Sequence, residues 1–184
     1  MITVEINGEE RQYPQGATYE DVANDYQKEY DNLIALAARD GKIRELFKKL
    51  TRDCEITFFT LKDDVGNKTY VRSATMLFLK AVFDVFGRET VQNCRVEFAI
   101  GNGSYISPKG KINATEENAA KIRNRMRELV EAKTPFLKKS YSLDNAMELF
   151  QREGMKDKEK LFRYRRGSFV NIYEMDGYYD YYYG

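Results

Sequence analysis

Residues 1–23 read MITVEINGEERQYPQGATYEDVA, and their pattern decides how the chain begins to fold. Ile2, Val4 and Ile6 alternate with polar residues, the two-residue period of a half-buried strand. Asn7-Gly8 follows at once, the residue pair best suited to the positive φ angles of a tight hairpin turn. Arg11 to Tyr13 is the returning strand, broken by Pro14-Gln15-Gly16. Thr18 then stands three residues ahead of Asp21, the spacing of a reciprocal helix cap, and Val22, Ala23 and Tyr26 form the apolar stripe of that helix.

Outward from this stretch, Ile34 to Ala38 reads as a buried strand and Asp40-Gly41 as a turn. Ile43 to Phe47 and Cys54 to Thr60 read as two further strands. The order β-β-α-β-β-β predicts a small sheet gripping one helix. Leu61 to Lys68 is polar and is expected to be the junction to a second unit. That unit opens with a helix in which Ala74, Leu77, Phe78, Ala81, Val82, Val85 and Phe86 recur at spacings of three and four, ended by Gly87. Cys94, Val96, Phe98 and Ile100 alternate as a strand, Gly101 to Ser104 turns it, and Tyr105 to Ser107 leaves as another. Thr115 starts a helix bearing Ala119, Ile122, Met126, Leu129 and Val130. Phe136 to Tyr141 is a strand, and Ser142 caps a helix bearing Ala146, Leu149 and Phe150 that Gly154 closes. A lysine-rich turn leads into an expected strand at Leu161 to Arg165. Phe169 to Tyr173 and Tyr178 to Tyr183 form a hairpin around Asp176-Gly177. The chain stops at Gly184 in mid-strand without a polar tail, which points to a piece of a longer protein. The fold class is α+β with mainly antiparallel sheet, in two domains, 1–61 and 62–184.

Composition removes several functions. Lys and Arg number 30 against 29 Asp and Glu, a net charge of +1, so the chain is not a globally basic nucleic-acid binder, although a local basic patch remains open. No apolar run approaches the ~20 residues of a spanning helix, and the start lacks the basic and apolar regions of a signal peptide, so a cytoplasmic protein without a membrane partner is expected. The 184 residues contain no histidine, which removes the commonest acid–base group near neutral pH and the commonest nitrogen ligand for metals. Cys54 and Cys94, forty residues apart in apolar segments, read as buried free thiols. No cofactor and no metal are expected.

Candidate motifs are few. Gly101-Asn102-Gly103 fails as a phosphate loop, because Gly110-Lys111 is followed by Ile112 and no strand-to-helix context surrounds it. Lys121, Arg123, Arg125 and Arg127 fall among Glu116, Glu117, Glu128 and Glu131 and read as a solvated helix face. The stretch 156–166 is more biased, with Lys156, Lys158, Lys160, Arg163, Arg165 and Arg166 against Asp157 and Glu159. Arg163-Tyr164-Arg165 mixes guanidinium and aromatic groups, which suits phosphate or RNA contact and equally suits a charged edge strand. Arg163, Arg165 and Arg166 are the RNA or phosphate candidates. No nucleophile–base constellation is visible, so no catalytic residue is assigned.

The first unit resembles a TGS domain, the β-grasp module at the start of threonyl-tRNA synthetases, through Ile6-Asn7-Gly8, Gly16-Ala17-Thr18 with Val22-Ala23, Arg39-Asp40-Gly41-Lys42 and Asp53 to Phe58. The second resembles the editing domain that follows TGS there and recurs in alanyl-type editing proteins. In that family the first long helix carries an HSxxHLL-like motif, whose two histidines bind zinc with a later cysteine and histidine. Here the stretch is Arg72-Ser73-Ala74-Thr75-Met76-Leu77-Phe78: the serine is kept, and Arg72 and Met76 replace both histidines. Arg125 to Leu129, Pro135-Phe136 and Ala146 to Phe150 are also similar to that family, and Tyr182 aligns where the cysteine would be. Arginine and methionine cannot replace imidazole as zinc ligands here, so the resemblance implies a domain without zinc-dependent deacylation.

A closer likeness is to the version of this region fused ahead of a P-loop kinase of the uridine kinase type, carried by Leu161 to Arg166, Val170-Asn171-Ile172-Tyr173 and Asp180 to Gly184. It implies a non-catalytic accessory or regulatory region, with ATP and magnesium used only by a kinase domain elsewhere in the same protein. A cleft beside Arg72 and Met76, reached by Gly103, Tyr105 and Tyr182, is the expected ligand site, and Arg72 would favour an anionic small ligand or RNA. A metal-independent editing hydrolase and a simple RNA-binding module are the competing expectations. The sequence leaves oligomeric state open.

Overall fold

The computed structural model describes residues 1–101, 103–109 and 112–182, and it is an α+β fold with mainly antiparallel sheets. Two compact units divide at Ser73/Ala74. In the first, strands β1 (Ile2–Ile6), β2 (Glu9–Tyr13), β3 (Ile34–Arg39), β4 (Lys42–Arg44) and β5 (Cys54–Thr60) form one sheet in the order β2-β1-β5-β3-β4. Only the β1–β5 pairing is parallel; Ile2 faces Tyr13 across the opening hairpin. Asn7 at φ 54° and Gly8 at φ 83° make its turn. Helix α1 (Tyr19–Tyr26) lies on the sheet as a β-grasp requires. Its capping box is complete: Asp21 N donates to the Thr18 hydroxyl, and Thr18 N donates to the Asp21 carboxylate at 2.7 Å. Val4, Ile6, Tyr19, Val22, Tyr26, Ile34, Leu50, Ile56 and Phe58 fill the core between them.

Two expectations change in this unit. The strand expected over Ile43 to Phe47 ends at Arg44, because Leu46 and Leu50 turn toward the core. The carbonyls of Leu46 and Lys48 instead accept from Glu20 N (2.8 Å) and Tyr19 N (3.0 Å), the free amides of the α1 N-terminus. Within the polar stretch Leu61 to Lys68, the residues from Asp64 onward are helix. Asp63 accepts from the amide and the hydroxyl of Thr60, and helix α2 (Asp64–Phe86) begins immediately. At Gly66 an added Cβ would lie 2.0 Å from the Thr60 carbonyl oxygen, so only glycine lets that helix start so near the strand end.

The second unit contains most of α2, then α3 (Arg88–Gln92), the hairpin β6 (Arg95–Ile100) and β7 (Gly103–Ser107), α4 (Glu116–Glu131), β8 (Leu137–Ser142), α5 (Leu143–Arg152), α6 (Lys156–Arg163), β9 (Phe169–Met175) and β10 (Tyr178–Asp180). Strands β10, β9 and β8 form an antiparallel sheet in that order, and β6 and β7 pair separately. Asn102, Gly110, Lys111, Tyr183 and Gly184 lie outside the described residues, and with them the rejected Gly110-Lys111 motif and the last residue of the expected strand Tyr178 to Tyr183, which as described ends at Asp180. One core cluster gathers Met76, Leu79, Val82, Ile122, Leu129 and Tyr178; another gathers Ala146, Leu149, Phe150, Phe162, Val170 and Tyr181.

The strand expected at Leu161 to Arg165 is instead the end of α6. Phe162, 1 % exposed, packs its ring on Phe150 and edge-on against Tyr181, which a helix of this register permits. Glu159 and Arg163 pair at 2.6 Å one turn apart, support that a strand would not give.

Candidate functional site

The residues expected around one cleft are distributed unevenly. Arg72 is exposed on α2 and forms no ion pair among the described residues. Met76, one turn later, is 1 % exposed and belongs to the core of the second unit. Tyr182 packs against that same cluster, its ring edge-on to Tyr173 at 5.9 Å. Gly103 and Tyr105 lie on β7, where the exposed Tyr105 ring stacks on Phe98 at 5.2 Å. The fold therefore joins Met76 and Tyr182 within one packed cluster, with Met76 as core rather than lining.

Beside Tyr182 stands a polar group that the sequence reading missed. Asp180, 4 % exposed, accepts from Lys158 Nζ at 2.9 Å, from the Tyr181 amide at 2.7 Å and from the Tyr178 hydroxyl at 3.3 Å. Burial, reinforced by the Asp180 charge, pushes the ionisation of both Tyr178 and Tyr182 far up, so both phenols stay protonated. The Tyr182 hydroxyl is buried and has no hydrogen-bond partner among the described residues; its neighbour Asp180 acts on it through charge and proximity. The alternation of β10 held the signal: Tyr178 and Asp180 face inward together. Asp180 is thus held by an ammonium, a phenol and an amide.

A concavity of about 390 Å³ lies among α2, α4 and the segment after β7. Phe78, Val82, Cys94, Ile106, Ile122 and Met126 make it largely apolar, and it shares no residue with the expected cleft. Burial pushes the Cys94 thiol up, so it stays protonated and unreactive; Cys54 is raised for the same reason.

The arginines expected at an RNA surface sit at the end of α6 and in the turn beyond it. Arg163 and Arg166 are exposed, and Tyr164 between them is 80 % exposed. Arg165 is committed inward, donating to the Tyr181 hydroxyl with its guanidinium 5.3 Å from the centre of that ring. The fold thus separates Arg165, which packs, from Arg163 and Arg166, which face solvent.

The zinc site of the resembled editing domains does not fit these residues. A guanidinium, a buried thioether and a phenol stand at the matching positions, and no group of three His, Cys, Asp or Glu among the described residues could hold a metal ion. No helix among the described residues is long and apolar enough to cross a membrane.

No protein-family profile matches the chain. It is similar to the threonine–tRNA ligase of Thermotoga petrophila, with 27% identity over 177 residues, covering 90% of this chain and 27% of the ligase. The threonine–tRNA ligase of Maricaulis maris is 27% identical over 183 residues, covering 94% of this chain and 28% of the ligase. That of Rhizobium etli is 27% identical over 175 residues, covering 95% and 26%. The chain spans about a quarter of the length of the curated relatives it matches. The chain is an α+β region similar over nine-tenths of its own length to about a quarter of a threonine–tRNA ligase.

Proposed function

We propose that this chain is a non-catalytic, RNA-binding accessory region of a cytoplasmic protein, related to synthetase editing regions and working without a cofactor or metal of its own. The observation that carries the reading is the solvent-facing set Arg163, Tyr164 and Arg166 on the second unit of a synthetase-like chain. The Arg166 guanidinium, with that of Arg163 on exchange of its Glu159 partner, supplies phosphate contacts, and an 80 % exposed phenol offers a stacking surface. Binding of labelled tRNA, followed by fluorescence anisotropy across a salt series, tests it. The triple change Arg163→Ala, Tyr164→Ala, Arg166→Ala should weaken binding about tenfold or more, as loss of ~1–3 kcal/mol of stacking plus phosphate contacts predicts. Unchanged affinity would refute the assignment.

Metal-independent hydrolysis of mischarged tRNA is the second reading, favoured by the Lys158–Asp180 pair at 2.9 Å beside two protonated tyrosines. Deacylation of seryl-tRNA in the presence of chelator, lost on Lys158→Met, would support it; a folded but inert chain would count against it. The finer placement ahead of a uridine kinase-type domain, which would bring ATP and magnesium, rests on Leu161 to Arg166, Val170 to Tyr173 and Asp180 to Gly184. The reading frame beyond Gly184 decides it by the presence or absence of GxxxxGK[ST].

A further inference from the structure

The net charge of +1 conceals a local concentration. Between Arg39 and Arg52 there are six basic residues, Arg39, Lys42, Arg44, Lys48, Lys49 and Arg52, against only Asp40 and Glu45, so this short stretch is +4 and the rest of the chain −3. It covers β4, the edge strand of the first sheet, and the segment that follows.

That segment is held rigidly. Tyr19 N donates to Lys48 O (3.0 Å), Glu20 N to Leu46 O (2.8 Å), Leu50 N to Ala17 O (2.8 Å) and Lys48 N to Glu45 O (3.0 Å). Leu50 is buried and Leu46 packs on the same core. With both leucines turned in, Phe47, Lys48 and Lys49 between them are exposed; Phe47 is 49 % exposed and the Lys48 ammonium lies 5.2 Å from its ring centre. Of the nearby carboxylates, Asp40 is taken by Arg52 at 2.7 Å and Asp21 by the Thr18 cap. Glu45 is the other acidic residue between Arg39 and Arg52. Lys42 and Lys49 form no ion pair among the described residues.

The geometry points to a second RNA contact on the first unit: an unpaired nucleotide stacks on Phe47 while its flanking phosphates meet Lys48 and Lys49. An exposed ring with the Lys48 ammonium over one face, and exposed Lys49 two residues on in an anchored segment, leaves its other face for a base and matches single-stranded nucleic acid, which needs a π-face and a basic track together. An acidic polypeptide would use the lysines and leave the ring idle. The inference rests on the RNA reading above and adds a separate site to it.

The test uses the whole chain and two labelled probes, an unstructured RNA oligonucleotide and a blunt RNA duplex of the same length. Lys48→Glu with Lys49→Glu should weaken single-strand binding at least tenfold and lower the salt slope by about 1.4, two phosphate contacts at ~0.7 each. Phe47→Ala should weaken the single strand about tenfold and the duplex little, and the Lys48→Arg, Lys49→Arg pair should restore affinity. Retained binding in the Phe47 and lysine variants, with loss in the Arg163/Tyr164/Arg166 variant, would overturn this site and leave the function standing. Loss of preference for RNA over polyglutamate in the unmodified chain would overturn the stacking assignment. No RNA binding by the unmodified chain would overturn both readings.

Discussion

The two units solve burial differently. Among the described residues, the first unit buries only apolar and aromatic side chains and Thr60, whereas the second buries Lys80, Asp180 and Glu153. Lys80, 2 % exposed, reaches Asp84 at 2.8 Å and the Asp176 carbonyl at 2.6 Å, and Asp84 is held in turn by Arg125 at 2.8 Å. Glu153 meets Arg88, and Asp180 meets Lys158. The first unit is thus specified by shape and apolar pattern, the second by pairs of charges that must find each other across the chain. A sheet that alternates cleanly needs no buried ion to set its register. Helices and short strands meeting at irregular angles are pinned by such pairs, at the cost of dehydrating them.

The contrast can be broken experimentally, most strongly at Asp180. Asp180→Ala strands the Lys158 ammonium and the Tyr178 hydroxyl and should destabilise the second unit by ~3–5 kcal/mol, read as lost amide protection in hydrogen exchange. Protection in the first unit should persist; uniform loss would refute the contrast. Ile6→Ala, at 1 % exposure in the first core, should cost ~2–5 kcal/mol through the cavity it leaves, measured by urea denaturation. Gly66→Ala drives a methyl group into the Thr60 carbonyl and should cost ~1–3 kcal/mol, and an unchanged urea midpoint would show that α2 shifts freely. The smallest effect is expected at Tyr26, whose buried hydroxyl has no hydrogen-bond partner among the described residues: Tyr26→Phe should leave stability within ~1 kcal/mol, on the favourable side.

Alkaline titration sharpens the comparison. Burial and the neighbouring Asp25 push Tyr13 up to about 12 in the folded first unit. Because the folded value is raised, its contribution is intact below the ordinary tyrosine range and is lost as pH climbs from ~10 through 12. Burial and the Asp180 charge push Tyr178 in the second unit well above the ordinary tyrosine range, so that phenol should stay protonated through it. On the acid side the carboxylates of Asp21 and Asp63 are lowered by the amides and hydroxyls they accept from. Their stabilisation is present above the ordinary carboxylate range and disappears as pH falls through the lowered values.

Much of the fold was legible locally. The hairpin around Asn7-Gly8, the Thr18–Asp21 cap, the helix stripes and the hairpin around Asp176-Gly177 all follow from spacing within a few residues. Local reading failed at Lys156–Arg163, where charges masked the helical placing of Phe162. It failed again after Arg44, where the strand is drawn off by amides of α1 more than twenty residues earlier. The candidate site was legible only in part: Arg163, Arg165 and Arg166 were found together, yet nothing near them in sequence says that Arg165 turns onto Tyr181 while its neighbours face solvent.

By itself the sequence determined the α+β class, most strands of the first unit and the absence of histidine. Periodicity and residue chemistry act within a turn or a strand, so one strand of text suffices for those conclusions. Only the tertiary structure decided that Met76 is core, that Asp180 is held by Lys158, and that Phe47, Lys48 and Lys49 share an exposed, anchored segment. Each of those depends on which side of an element faces another element, and the free energy that settles it comes from burial and pairing between residues far apart in the chain.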